Sequence, residues 1–171
     1  MKRMDYNVLK LYKFYPKIEN FTYLRYQFYI YVYLDPFTEL KKPKGIKVHT
    51  SKKDYEFMYI YEPFYVGKAS TGMGYRHHQH IQKYQIGQEG NKLKVEKFKE
   101  LERNFERARK ENLYHLPQNW DEYKQNWIAI VQDFSNSKDL LEFEVSLIKK
   151  IGTKYKHQGP LVNKIENAFI L

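Results

Sequence analysis

One carboxylate stands where a helix should be apolar. Over residues 138–151, Leu140, Leu141, Leu147, Ile148 and Ile151 share one face of a 3.6-residue period, and Glu144 lies at its centre. Glu142, Ser146, Lys149 and Lys150 point away, as a solvated face should. A carboxylate on the core side of a helix is costly unless a cation, a donor or a metal compensates it. Two readings follow: a structural buried ion pair, or a metal ligand or catalytic carboxylate at the floor of a site.

A second group falls on a short helix expected at about 75–85. Arg76 and His80 are four residues apart and share a face, beside an apolar side marked by Ile81 and Tyr84. Two donors so placed suit the non-bridging oxygens of a phosphate. His77 falls among apolar positions, and His78 points to solvent. The three histidines do not share one face, which disfavours zinc. A third group is Tyr65-Val66-Gly67-Lys68 at a strand end, with Tyr31 on the strand before it. Gly67 allows a close backbone approach to a ligand.

These residues need elements to hold them. Residues 26–34 are β-branched and aromatic and predict a buried strand, ended by Asp35-Pro36. Residues 39–54 are polar and broken by Pro43 and Gly45, which predicts a loop or hairpin tip. Strands are expected at 55–61, resuming at 64–67 after Pro63, and at Trp127–Val131. A long helix is expected over 93–113, with Phe98, Leu101, Phe105 and Ala108 on its apolar stripe. Gly152 stops the helix that carries Glu144. Residues 1–24 read as a helix or an irregular arm, and the chain closes on an apolar stretch, Ala168–Leu171.

The chain has 171 residues and shows no internal repeat or linker, so a single domain over 1–171 is expected. It has no cysteine, which excludes disulfides and thiolate metal sites. No apolar run suits a membrane span and no secretory leader is legible, so a cytoplasmic setting is expected, in a bacterial or phage-infected cell. The net charge of +10 raises the expectation of a polyanionic partner.

Taken in order, the motifs resemble the GIY-YIG nuclease family. Its first motif is similar to Tyr29-Ile30-Tyr31, with Tyr in place of Gly, and its second to Tyr65-Val66-Gly67, followed by Lys68-Ala69. Its helical Arg and the His or Tyr one turn later match Arg76 and His80, its Glu matches Glu144, and a final Asn matches Asn163. The match spans about 26–163, with insertions at 36–60, a hairpin as in phage and bacterial members, and at 86–125, the long helix.

The resemblance implies an α+β fold: a small antiparallel three-stranded sheet flanked by helices. It implies a DNA endonuclease from a phage or mobile element, or an enzyme of restriction or repair. One divalent cation, Mg²⁺ or Mn²⁺, would be held by Glu144. Arg76 would stabilise transition-state charge. Tyr31 would act as general base or orient the attacking water, its pKa lowered by Lys68 or by the cation's solvent. Tyr65 and His80 would position the water or the phosphate. Asn163 would hold the site together or hydrogen-bond the phosphate. DNA contacts are expected on the projecting hairpin, at Lys41, Lys42, Lys44, Lys47, Lys52 and Lys53. Lys99, Arg103, Arg107 and Lys110 of the long helix lie near Glu96 and Glu100 and read as an ion-paired solvated face. The competing readings are a non-catalytic nucleic-acid-binding module on the same scaffold, and an unrelated α/β protein with Glu144 in an ion pair.

Overall fold

The central strands explain why their sequence lacks polar alternation. In the computed structural model, which describes residues 7–11, 28–52, 54–69, 73–111, 129–134 and 136–164, the elements run β1 (Asn7–Leu11), β2 (Phe28–His49), β3 (Asp54–Ala69), α1 (Met73–Gln85), α2 (Lys92–Glu111), β4 (Ala129–Phe134) and α3 (Ser137–Ile151). Along β2, Ile30, Val32 and Leu34 face one layer, with Phe143, Leu147 and Ile148 of α3. Tyr29, Tyr31 and Tyr33 face the other, with Phe98, Leu101 and Phe105 of α2. All six β2 side chains are buried, as a strand covered on both faces requires. The fold is mixed α+β, as expected.

The sheet differs from the expected one. It has four strands in the order β1-β3-β2-β4, not three. The pairs β3–β2 and β2–β4 are antiparallel, but β1 joins parallel to β3, from Asn7 against Tyr55 to Leu11 against Tyr59. The stretch expected as a helix or arm thus contains a strand. Five residues carry too little periodicity to show it, and the pairing is made with a distant edge. β4 ends three residues beyond Val131, at Phe134. Lys53, the connection at 114–125, Trp127, the tail at 168–171 and the side chain of His77 fall outside the described residues.

Asp35-Pro36 does not end β2. The ladder shifts register between Tyr33 and Leu34, Leu34 and Glu39, and Glu39 and Lys44, so residues 35–38 and 40–43 leave the pairing. Pro36 and Pro43, which cannot donate to a ladder, fall in those two stretches. Asp35 closes the first by accepting from Phe37 N and Thr38 Oγ1, each at 2.9 Å, and from buried Lys97 Nζ at 2.6 Å. Phe37 meets Phe105 edge to face at 4.8 Å. The bulge therefore docks α2.

The hairpin beyond it does not project as expected. Ile46 and Val48 are buried in the α3 layer. Ser51 donates to Glu142 from N at 2.8 Å and from Oγ at 3.2 Å, Lys52 pairs with Asp139 at 3.2 Å, and Lys150 donates to the carbonyl of Lys47. The polar run is a strand end whose alternate residues anchor it to α3. Its Lys41, Lys42, Lys44, Lys47 and Lys52 still face solvent. So do Lys99, Arg103, Arg107 and Lys110 of α2, beside exposed Glu96 and Glu100.

Candidate active site

Tyr31 and Gly67 are register partners, and the glycine exists for the tyrosine. A Cβ at position 67 would fall on the Tyr31 ring and hydroxyl. The close approach is therefore made by a side chain of the same sheet and not, as expected, by a ligand. Gly67→Ala should cost about 1–3 kcal/mol in urea unfolding, the scale of overpacking a tight core, and nearly nothing in a Tyr31→Ala background. An equal loss in both backgrounds would show that the ring is not what the glycine accommodates.

Around Tyr31 lies an aromatic cluster on the α1–α2 side of the sheet. Tyr33 and Tyr65 stack with ring centroids 6.0 Å apart, and His80 of α1 meets Tyr65 edge-on at 5.1 Å. Tyr31 Oη lies 2.5 Å from His80 Nε2. On the other side of the imidazole, Lys94 Nζ lies 2.7 Å from Nδ1, donates to Glu89 Oε2 at 3.0 Å and sits 4.7 Å above the Tyr65 ring. Burial draws Lys94 below its ordinary value, against the pull of Glu89; burial raises Glu89, but Lys94 and the Asn91 amide leave it lowered overall. Arg76 of α1 lies near Tyr31, Tyr65 and Tyr33. Its Nη1 contacts Gln79 Oε1 at 3.4 Å, and its Nε is buried without a hydrogen-bond partner among the described residues.

Burial pushes the Tyr31 phenol well above its ordinary value; Tyr65 adds to this and Arg76 opposes it. That corrects the expectation that Lys68 lowers it, since Lys68 pairs with Glu144 instead. The side chain is fully covered, and one nearby guanidinium does not offset the desolvation of a phenolate.

Glu144 is fully buried, in the α3 layer. Lys68, the register partner of Ile30, projects to that same face and reaches Glu144 Oε1 at 3.7 Å. Neither carboxylate oxygen has a hydrogen-bond partner among the described residues. Burial pushes the carboxyl above its ordinary value, and Lys68 pulls part of the way back. The expected residues thus form two groups on the two faces of the sheet, with Tyr65 in the field of both. Burial mainly sets Tyr65 at about 12, Arg76 lowering it and Glu89 and Glu144 raising it.

Asn163 belongs to neither group. Its Oδ1 accepts from Val66 N at 3.0 Å and its Nδ2 donates to Val66 O at 2.7 Å. Of the two roles expected, its amide performs the holding one.

No protein-family model, curated protein or solved structure matches this chain. Among the described residues no three His, Asp or Glu side chains gather as a metal cluster, and no helix is long and apolar enough to cross a membrane.

Lys94 and Glu89 are the site residues that sequence reasoning missed. The signal was available for Lys94. Carrying the α2 stripe of Phe98 and Leu101 back one turn lands on Lys94 and Lys97, and both are buried. Each is a charge on an apolar face, the feature that singles out Glu144.

Proposed function

We propose that this chain is a divalent-cation-dependent DNA endonuclease of the GIY-YIG type. The observation that carries the reading is the Glu144 carboxylate, buried with both oxygens unpartnered in hydrogen bonds among the described residues. Such a group suits a hard cation that takes oxygen ligands, Mg²⁺ or Mn²⁺. Arg76 beside Tyr31 and Tyr65 supports it, because the guanidinium keeps donor capacity within a tyrosine-lined site. The net charge of +10 and the exposed lysines of β2 suit a phosphate backbone.

In this reading Glu144 holds the cation, which supplies charge neutralisation at the scissile phosphate and the leaving 3′-oxygen. Lys68, with 35% of its side chain exposed, turns outward from Glu144 to meet the phosphate. Arg76 binds the non-bridging oxygens as negative charge grows. Tyr31 remains a phenol at neutral pH and so orients the attacking water or the phosphate, the second of its two expected roles. Tyr65 lies on the Arg76 face within the electrostatic field of Glu144.

Supercoiled plasmid incubated with the full chain should be nicked in Mg²⁺ or Mn²⁺ and left intact in chelator. Retention of the plasmid in a gel shift without nicking under any divalent cation would reassign the chain as a non-catalytic binding module.

A further inference from the structure

Four side chains form one line, buried except at its Glu89 end: Glu89 Oε2, Lys94 Nζ, His80 Nδ1 and Nε2, and Tyr31 Oη, at successive separations of 3.0, 2.7 and 2.5 Å. Lys94 and His80 are almost wholly buried. The order of donors along this line is fixed by chemistry. An ammonium has only protons to offer, and Glu89 holds Lys94 in that form. The imidazole nitrogen facing it must then present a lone pair. With Nδ1 bare, the ring proton of a neutral His80 sits on Nε2 and points at Tyr31. The opposite arrangement sets an N–H against an ammonium at 2.7 Å.

We propose that Lys94, anchored by Glu89, fixes His80 as the Nε2–H tautomer and thereby sets the direction of the Tyr31 hydroxyl. The Tyr31 oxygen then accepts from His80, with the Arg76 guanidinium nearby. Its own proton is turned away from the imidazole, to be donated to whatever occupies the site. Lys94 is a positioning residue: it touches no reacting atom and acts through His80. The inference rests on the proposed nuclease reading only in naming a phosphate oxygen as the recipient. The tautomer stands on geometry alone. It also gives the segment from Glu89 to Lys94, at the start of α2, a task in the site.

The test uses the full chain labelled with ¹⁵N. Long-range ¹H–¹⁵N spectra at neutral pH separate the two neutral imidazole tautomers, and His80→Gln identifies the resonance among the six histidines. The wild type should show protonated Nε2. Lys94→Met, close to lysine in shape but uncharged, should release the tautomer to a mixture or to Nδ1–H, and Lys94→Arg should restore it. Glu89→Gln, at a partly exposed position, should move the signal the same way by less, and covers the case in which Lys94→Met fails to fold. In plasmid nicking, Lys94→Met should fall by at least about tenfold with DNA affinity unchanged, the scale seen when an orienting partner is lost, and Lys94→Arg should recover most of it. Protonated Nδ1 in the wild type, or an unmoved tautomer in Lys94→Met, overturns the proposal. A changed tautomer with undiminished nicking overturns the positioning role. A protein that nicks nothing yet shows the tautomer change loses the nuclease reading and keeps the relay.

Discussion

On the proposed nuclease reading, a Glu144→Gln protein is expected to cut no DNA and still to melt higher than the wild type at neutral pH. The first effect follows from losing the charged oxygens that would hold the cation, while the basic surface proposed to meet DNA is untouched. The second follows from burial. The Glu144 carboxyl is pushed above its ordinary value by desolvation, with Lys68 opposing. The folded protein therefore binds this proton more tightly than the unfolded chain does. Stability falls as pH rises from the ordinary carboxylate range through the raised value, and the loss is complete above it. The amide removes that loss. Lys68 is left without its ion pair, but it is exposed enough to be solvated instead, so the usual penalty for orphaning a buried charge is small. A gain of about 1 kcal/mol, or roughly 2–4 °C in Tm, is expected at neutral pH. It should shrink towards pH 4. Calorimetry in chelator, across pH, checks this against nicking and gel-shift assays. Cleavage at the wild-type rate would remove Glu144 from the chemistry. A gain that grew as pH fell would mean that the folded protein holds this proton less tightly than the unfolded chain.

Arg76→Ala should lower the rate of nicking on saturating DNA by at least about two orders of magnitude, the scale for losing a preorganised charge stabiliser. Arg76→Lys should recover little of it. The guanidinium is half-buried among three tyrosines, where a planar fork can contact the Tyr31 oxygen and still present donors to a phosphate. A lysine offers a single point of charge and cannot present that planar fork. Single-turnover rates separate the loss from any change in affinity. A mutant that binds more weakly but cuts as fast when saturated would make Arg76 a binding residue and nothing more.

Legibility differed by element for physical reasons. The stripe of Phe98, Leu101, Phe105 and Ala108 was readable because a twenty-residue helix repeats its pattern several times. Glu144 was readable because it broke such a pattern, and the structure buries it. The hairpin was misread at Asp35-Pro36 and at the lysine run, since two proline-bearing bulges interrupt β2 without ending it. Local turn signals do not reveal whether a strand resumes. β1 was hidden because five residues show no period and their partner lies about fifty positions away. The division of the expected site between the two sheet faces was hidden too, although Tyr31 and Lys68 flank one register step. Assigning faces requires the pairing of Tyr31 with Gly67, which only the fold supplies.

The outer edge of β3 is covered in two instalments. β1 lines it from Tyr55 to Tyr59, and beyond that Val162 N donates to Phe64 O at 2.8 Å while Asn163 engages both backbone groups of Val66. Between them stands Pro63, which has no N–H to offer. A long strand rich in tyrosine and phenylalanine would otherwise present a row of open amides and carbonyls to any neighbouring chain. Short patches and a proline leave no continuous template there for a second strand to read. The residues that close this edge therefore guard solubility as much as shape.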